Sequence, residues 1–162
     1  MTVLHVAQRG EPILNLVATA VSEAEFSSPW LFSCVEALKA TMIARHGVGI
    51  AAPQVYISKR IIIVASKPNP RYPDAPEMEA IEMINPEILE FSDILQLGEE
   101  GCLSVESQRG QVLRAEKVTV QYYNLVGEKI QNTFSGFPAR IVQHEIDHLN
   151  GILFVDRIVL KN

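Results

Sequence analysis

The chain has 162 residues, 48% of them hydrophobic and 20% charged, a composition ordinary for a soluble globular protein and sufficient for one sizeable core. A formal net charge of −5, with no basic run and no interleaving of basic and aromatic residues, argues against direct nucleic-acid binding. No apolar run approaches the roughly 18 residues of a membrane span, and the N-terminus lacks a basic-then-apolar signal pattern, so a cytoplasmic protein with no membrane partner is expected.

The first strong element in chain order is a helix. Ser28 is placed to cap it, Pro29 suits its first position, and Leu31, Val35, Leu38 and Met42 form its apolar stripe. Gly47 suits its exit, and His46 stands near the last carbonyls, where an imidazole is favourable. Cys34 falls within the apolar pattern and is expected to be a buried, inert thiol. Arg60 to Ala65 contains Ile61-Ile62-Ile63-Val64, which reads as a buried strand. Lys67 to Pro76 carries four prolines and reads as a loop.

Strand-like segments follow at Ala80–Ile84 and Ile88–Phe91. Val118, Val120 and Tyr122 then alternate with Thr119, Gln121 and Tyr123, as in a half-covered strand. Asn124 to Gly127 turns it into a partner near Lys129–Phe134. A second helix starts around Phe137-Pro138 and stops at Gly151. Ile152 to Val155 reads as a buried strand or turn with Asp156 at its polar end. There is no internal repeat. The pattern predicts an α+β fold, a single domain over residues 1–162: short mixed or antiparallel strands around a central helix, with another helix toward the N-terminus.

That central helix carries His144-Glu145-Ile146-Asp147-His148. At about 3.6 residues per turn, the two histidines lie about 40° apart and Glu145 about 100° from the first, so the three share a face. Two neutral imidazoles at this spacing can bind a divalent ion, and the carboxylate can reach a water on it. The bland alternative is a helix that carries two histidines by accident.

A catalytic site of this type needs a third protein ligand and one open position. The residues after Gly151 contain no His and no Glu, and Asp156 is their only carboxylate, which sends the search upstream. His5 lies in a segment without a partner motif, His46 has a role at a helix end, and Cys34 is expected in the core. Cys102 stands in the polar, glycine-containing segment Glu99-Glu100-Gly101-Cys102-Leu103-Ser104, where a thiol is not simply filling space. A thiolate there completes a Cys-His-His set, and leaves Cys34 free, as suits a reducing cytosol.

Three separated segments now fall into place: Gly47-Val48-Gly49-Ile50-Ala51-Ala52-Pro53-Gln54, Glu100-Gly101-Cys102-Leu103-Ser104, and His144-Glu145-Ile146-Asp147-His148-Leu149-Asn150-Gly151. In type, order and separation the sequence resembles the peptide deformylases. The resemblance implies a metal-dependent hydrolase that removes the N-formyl group from N-formylmethionyl peptides of nascent proteins and releases formate. Cys102, His144 and His148 are then the metal ligands. Glu145 is the general base and acid, the metal-bound water the nucleophile, and the Gln54 side-chain amide and the Leu103 N–H the donors to the developing oxyanion. Val48 and Ile141 would line the methionine pocket, and Gly49 and Gly101 would pair with substrate backbone. The resemblance favours Fe2+ in the cell, with Zn2+ or Ni2+ possible in a preparation.

Two departures from the family pattern stand out. Glu106 occupies a place where proline is usual, close to the expected cleft. The sequence stops at Asn162, without the longer C-terminal helix of several members, so nearness to the ribosome has no extension to support docking. Arg109 and Arg114, after the second segment, read as solvated or structural arginines. The competing readings are a zinc protease cutting internal peptide bonds, which the Cys102 segment disfavours, and a homologue that binds peptides without turnover, for which Glu106 is the only motive.

Overall fold

The computed structural model describes residues 2–68 and 73–160. Its eight strands are β1 Gly49–Ala51, β2 Ile61–Ser66, β3 Met78–Phe91, β4 Leu95–Cys102, β5 Val105–Ala115, β6 Lys117–Tyr123, β7 Lys129–Ser135 and β8 Ile158–Leu160. Two helices, α1 Pro29–Ala44 and α2 Gly136–Leu149, accompany them. The strands form a five-stranded sheet in the order β1-β2-β3-β6-β7 and a three-stranded sheet in the order β4-β5-β8. Every neighbouring pair is antiparallel, which gives the expected α+β fold. Among the described residues no helix is long and apolar enough to cross a membrane.

The sequence of β2 explains how the layers stack. Successive side chains of a strand point to opposite faces. Ile62 and Val64 accordingly join the core against α2, with Met83, Val118, Val120, Ile141, Val142 and Leu149. Ile61 and Ile63 join the core against α1, with Leu31, Val35, Leu38 and Met42. A strand covered on both faces has no reason to alternate apolar with polar, hence its unbroken apolar run. A third cluster, with Val105, Val112, Phe154 and Cys102, fills the space under the smaller sheet. Helix α2 therefore lies inside, and all of Ala139 to Leu149 is buried.

Both helix ends follow the chemistry of their residues. Ser28 Oγ accepts from the Leu31 N–H at 3.1 Å, and Pro29 opens α1. At the exit of α1, His46 N–H donates to Ile43 and Gly47 N–H to Met42, a paired closure in which the residue after the cap turns left-handed. That residue is His46, at φ 56°, and not the glycine expected there. Histidine is among the few side chains that adopt this region with any frequency. Helix α2 closes the same way, with Gly151 N–H on His148, Ile152 N–H on Asp147, and Gly151 at φ 76°.

One other expectation changes. The two strand-like pieces at 80–84 and 88–91 are one strand, β3, which carries an irregularity between Ile84 and Glu87. There Asn85 turns to φ 50° and its side-chain amide pairs with both backbone groups of Val21. The polar stretch around Arg109 and Arg114, to which the sequence assigned no element, belongs to the long hairpin β4–β5. Its buried side chains include Glu100, Cys102 and Arg114, so apolar alternation could not reveal it. Of the strand or turn that the sequence allows after Gly151, the structure has the turn: Phe154–Arg157 is a short 3-10 helix, and the carboxylate of Asp156 accepts from the Leu153 N–H at 3.2 Å. The loop expected at Lys67–Pro76 lies partly outside the described residues; Lys67, Pro68 and residues 73–76 belong to no helix or strand.

A Cβ at position 151 would stand 2.6 Å from the Asn15 carbonyl oxygen, in a backbone conformation that already disfavours side chains. Gly151→Ala is expected to lower stability by at least about 1–2 kcal/mol. A urea titration with unchanged m-value and a lower midpoint is the measurement.

Candidate active site

Helix α2 presents His144, Glu145 and His148 toward the turn that closes the β4–β5 hairpin. Cys102 is the last residue of β4, and its Sγ lies 3.3 Å from His148 Nε2. The donor atoms of Cys102, His144 and His148 all fall within 4.8 Å of one another, and all three residues are buried. The imidazole rings meet edge to face with centroids 5.2 Å apart. Among the described residues, this is the group of His, Cys and carboxylate side chains spaced to hold an ion. The excluded candidates lie elsewhere: His5 stacks on Tyr56, Cys34 is buried on α1, and Asp156 caps a turn.

What holds His144 in place is a carboxylate to which sequence reasoning gave no role. Glu100 Oε1 meets His144 Nδ1 at 2.9 Å, which leaves Nε2 as the ligand atom. The same carboxylate accepts two bonds from Arg114, each 2.9 Å, and one of 2.7 Å from Arg140. Arg114 continues to Asp147 at 2.6 Å, and Asp147 accepts in turn from Nε and a terminal nitrogen of Arg157 at 2.6 and 3.0 Å. Burial alone would raise the Glu100 carboxyl, but the bonds from Arg114 and His144 outweigh it and hold it far below the usual range. Glu100 lies inside a quoted motif. Its arginine partners come from two other elements, Arg114 from β5 and Arg140 from α2, and nothing in their spacing announces the network.

The electrostatics suit a cation. Burial would raise the Cys102 thiol, yet the imidazoles beside it outweigh burial and hold it well below its ordinary value, which favours the thiolate. Burial pushes the Glu145 carboxyl up to about 7, against the pull of His144 and His148. Glu145 Oε1 and His148 Nδ1 are buried without any hydrogen-bond partner. A carboxylate oxygen without a partner, beside three soft and borderline donors, fits a site that receives a divalent ion and a water.

One cleft gathers the remaining candidates. Val48, Gly49, Gln54, Gly101, Leu103 and Ile141 line it together with Cys102, His144 and Glu145, and Phe137 and Gly47 complete the wall. Gln54 sits in a short 3-10 turn after β1; its Oε1 accepts from the Ala51 N–H at 2.9 Å, and its Nε2 donates to Ser104 Oγ at 3.0 Å. Gly49 also meets a steric need inside the site. A Cβ there would lie 2.5 Å from Glu145 Oε2 and 2.8 Å from Ile141, so the missing side chain is the room in which Glu145 stands. The N-terminal segment closes the back: Ala7 N–H bonds to the Gln54 carbonyl, Gln8 Nε2 to the Leu103 carbonyl and Arg9 N–H to the Ser104 carbonyl. Glu106 is exposed on β5, 3.6 Å from Arg45, so its charge is partnered across the rim.

The polypeptide deformylase family model matches residues 3–162. A peptide deformylase 2 from Nostoc sp. is 46% identical over 155 residues, 96% of this chain and 86% of that protein. The structure of a class I type b peptide deformylase from Acinetobacter baumannii with Met-Ala-Ser bound superposes with a TM-score of 0.95 at 68% identity, covering 97% of this chain and 99% of that one. The peptide deformylase of Thermotoga maritima superposes with a TM-score of 0.87 at 34% identity, covering 99% and 100%.

Because Glu100 fixes the ring of His144, Glu100→Gln is expected to weaken metal binding by about 10–100-fold. Competition against a chelator of known affinity measures it. Unchanged affinity would mean that helix packing alone orients the ring.

Proposed function

Since the chain belongs to the polypeptide deformylase family, we propose that its site takes N-formylmethionyl peptides of nascent proteins and hydrolyses the formyl amide to formate and a free amine. The observation that carries this reading is the cluster of Cys102, His144 and His148 with the unpartnered Glu145 carboxylate oxygen beside it. Cys102, His144 and His148 would hold a divalent ion, which would supply Lewis acidity to a water and to the formyl carbonyl. Glu145 takes the proton of a water at the site and returns it to the departing nitrogen, its burial favouring the proton-carrying form between the two steps. The Gln54 Nε2 and the Leu103 N–H donate to the formyl oxygen as charge grows on it. Val48 and Ile141 hold the methionine side chain, and Gly49 and Gly101 offer backbone groups to the peptide.

The bound state of a related enzyme supports the substrate class, since the Acinetobacter baumannii protein is described with Met-Ala-Ser in place. For the ion we propose Fe2+ in the cell. Zinc binds such a donor set more tightly, so occupancy follows availability, and Zn2+ or Ni2+ can replace iron in a preparation. A cytoplasmic setting agrees with two unpaired cysteines, one of them a ligand.

The decisive test is formate release from a formyl-methionyl peptide by anaerobically prepared, metal-analysed protein, with an acetylated peptide as control. Internal cleavage of the blocked peptide would point to a protease instead. Glu145→Ala is expected to keep its metal and lose about 10²–10⁴-fold in turnover; near-normal formate release would remove Glu145 from its role. Cys102→Ala should lose most of its metal while Cys34→Ala keeps it, as metal analysis of the purified variants will show.

A further inference from the structure

Ser104 is fully buried in the two-residue link between β4 and β5, and each of its polar groups has a partner of consequence. Its N–H donates to Cys102 Sγ at 3.4 Å. Its Oγ accepts from Gln54 Nε2 at 3.0 Å, and its carbonyl accepts from the Arg9 N–H at 2.8 Å. One short link thus touches the thiolate, the side-chain amide in the cleft and the N-terminal segment.

Consider the amide of Gln54, which has one oxygen and two N–H protons. The oxygen is occupied by the Ala51 N–H at 2.9 Å. Turning the amide over would set two donors against each other there and is excluded. One proton goes to Ser104 Oγ. The nitrogen's other neighbour is Cys102 Sγ at 3.6 Å, an N–H···S bond weaker than the one to the hydroxyl. The second proton is therefore weakly engaged and available to an acceptor entering the cleft. Without the hydroxyl oxygen, the thiolate would be the remaining acceptor, and charged acceptors draw donors more strongly than neutral ones. The amide would swing toward the sulfur and away from the substrate.

We propose that Ser104 is a positioning residue for deformylation: its hydroxyl oxygen anchors one N–H of Gln54 so that the other is presented to the formyl oxygen. The proposal rests on the reading of Gln54 as an oxyanion donor. Its reach is confined to the side chain, because the bond to Cys102 Sγ comes from the Ser104 backbone and survives substitution.

Ser104→Ala is expected to keep full metal content and a KM within about twofold, and to lose on the order of 10-fold in kcat, a part of what a whole oxyanion donor is worth. A double-mutant cycle with the volume-conserving Gln54→Met separates this from a loss of packing. If Ser104 acts through Gln54, Ser104→Ala costs nothing further once Gln54 is gone. An equal loss of kcat in both backgrounds overturns the proposal, as does a Ser104→Ala enzyme with unchanged kcat. Near-normal turnover by Gln54→Met alone overturns the reading of Gln54 itself, a different failure. Should Ser104→Ala not fold, Ser104→Cys keeps the size with a weaker acceptor, and the same cycle applies.

Discussion

A buried carboxylate holds the two halves of this protein's chemistry together. Glu100 comes from the β4–β5 hairpin, His144 and Arg140 from the central helix, and Arg114 from the far strand of the hairpin. A carboxylate in such surroundings is costly unless every lone pair is used, and a lone partner would not suffice. Here two guanidiniums and an imidazole surround it. The arrangement fixes where the hairpin sits against the helix, and therefore where Cys102 meets the histidines. Replacing one member leaves the others buried without compensation, so the group behaves as a unit.

Around that unit the apolar core acts as a frame. A helix covered along eleven consecutive residues cannot rotate without disturbing both its neighbours, so its two ligand side chains inherit the rigidity of the packing. The glycine at position 49 extends the same logic to β1, which approaches Glu145 more closely than any side chain would permit. Charge, hydrogen bonds and steric room thus converge on a carboxylate that is held without a partner of its own.

The sequence announces this protein unevenly, and the reason is physical. Helix α1 is legible because its cap, its proline and its apolar stripe are independent signals that agree. Strand β2 is legible by apolarity alone, and the metal ligands by the spacing of His144 and His148 and the polar setting of Cys102. The hairpin β4–β5 is not legible, since Glu100, Cys102 and Arg114 share its buried positions with Val105, Val112 and Ala115 while Leu95, Leu97 and Leu113 face outward. Hydrophobic periodicity reports burial of oil, and here the strands bury charge. Arg114 was read as solvated or structural; it is structural, and its partners could be named only once the chain was folded. Likewise the left-handed residue at the end of α1 is His46, which spacing placed one position later.

The bonds from the N-terminal segment have a bearing on how the molecule is made. Residues 7 to 9 are synthesised well before the groups that fix them, Gln54, Leu103 and Ser104, which follow as many as 95 positions later. His148, near the other end, must arrive before the ligand set exists. Contacts of such sequence separation require loops to close before they are rewarded, and slow folding in proportion. A ribosome-bound chain of this protein therefore carries its opening residues unattached until the hairpin has formed, and an incomplete chain holds no working site. The catalyst switches on only after His148 has been translated and packed against the hairpin.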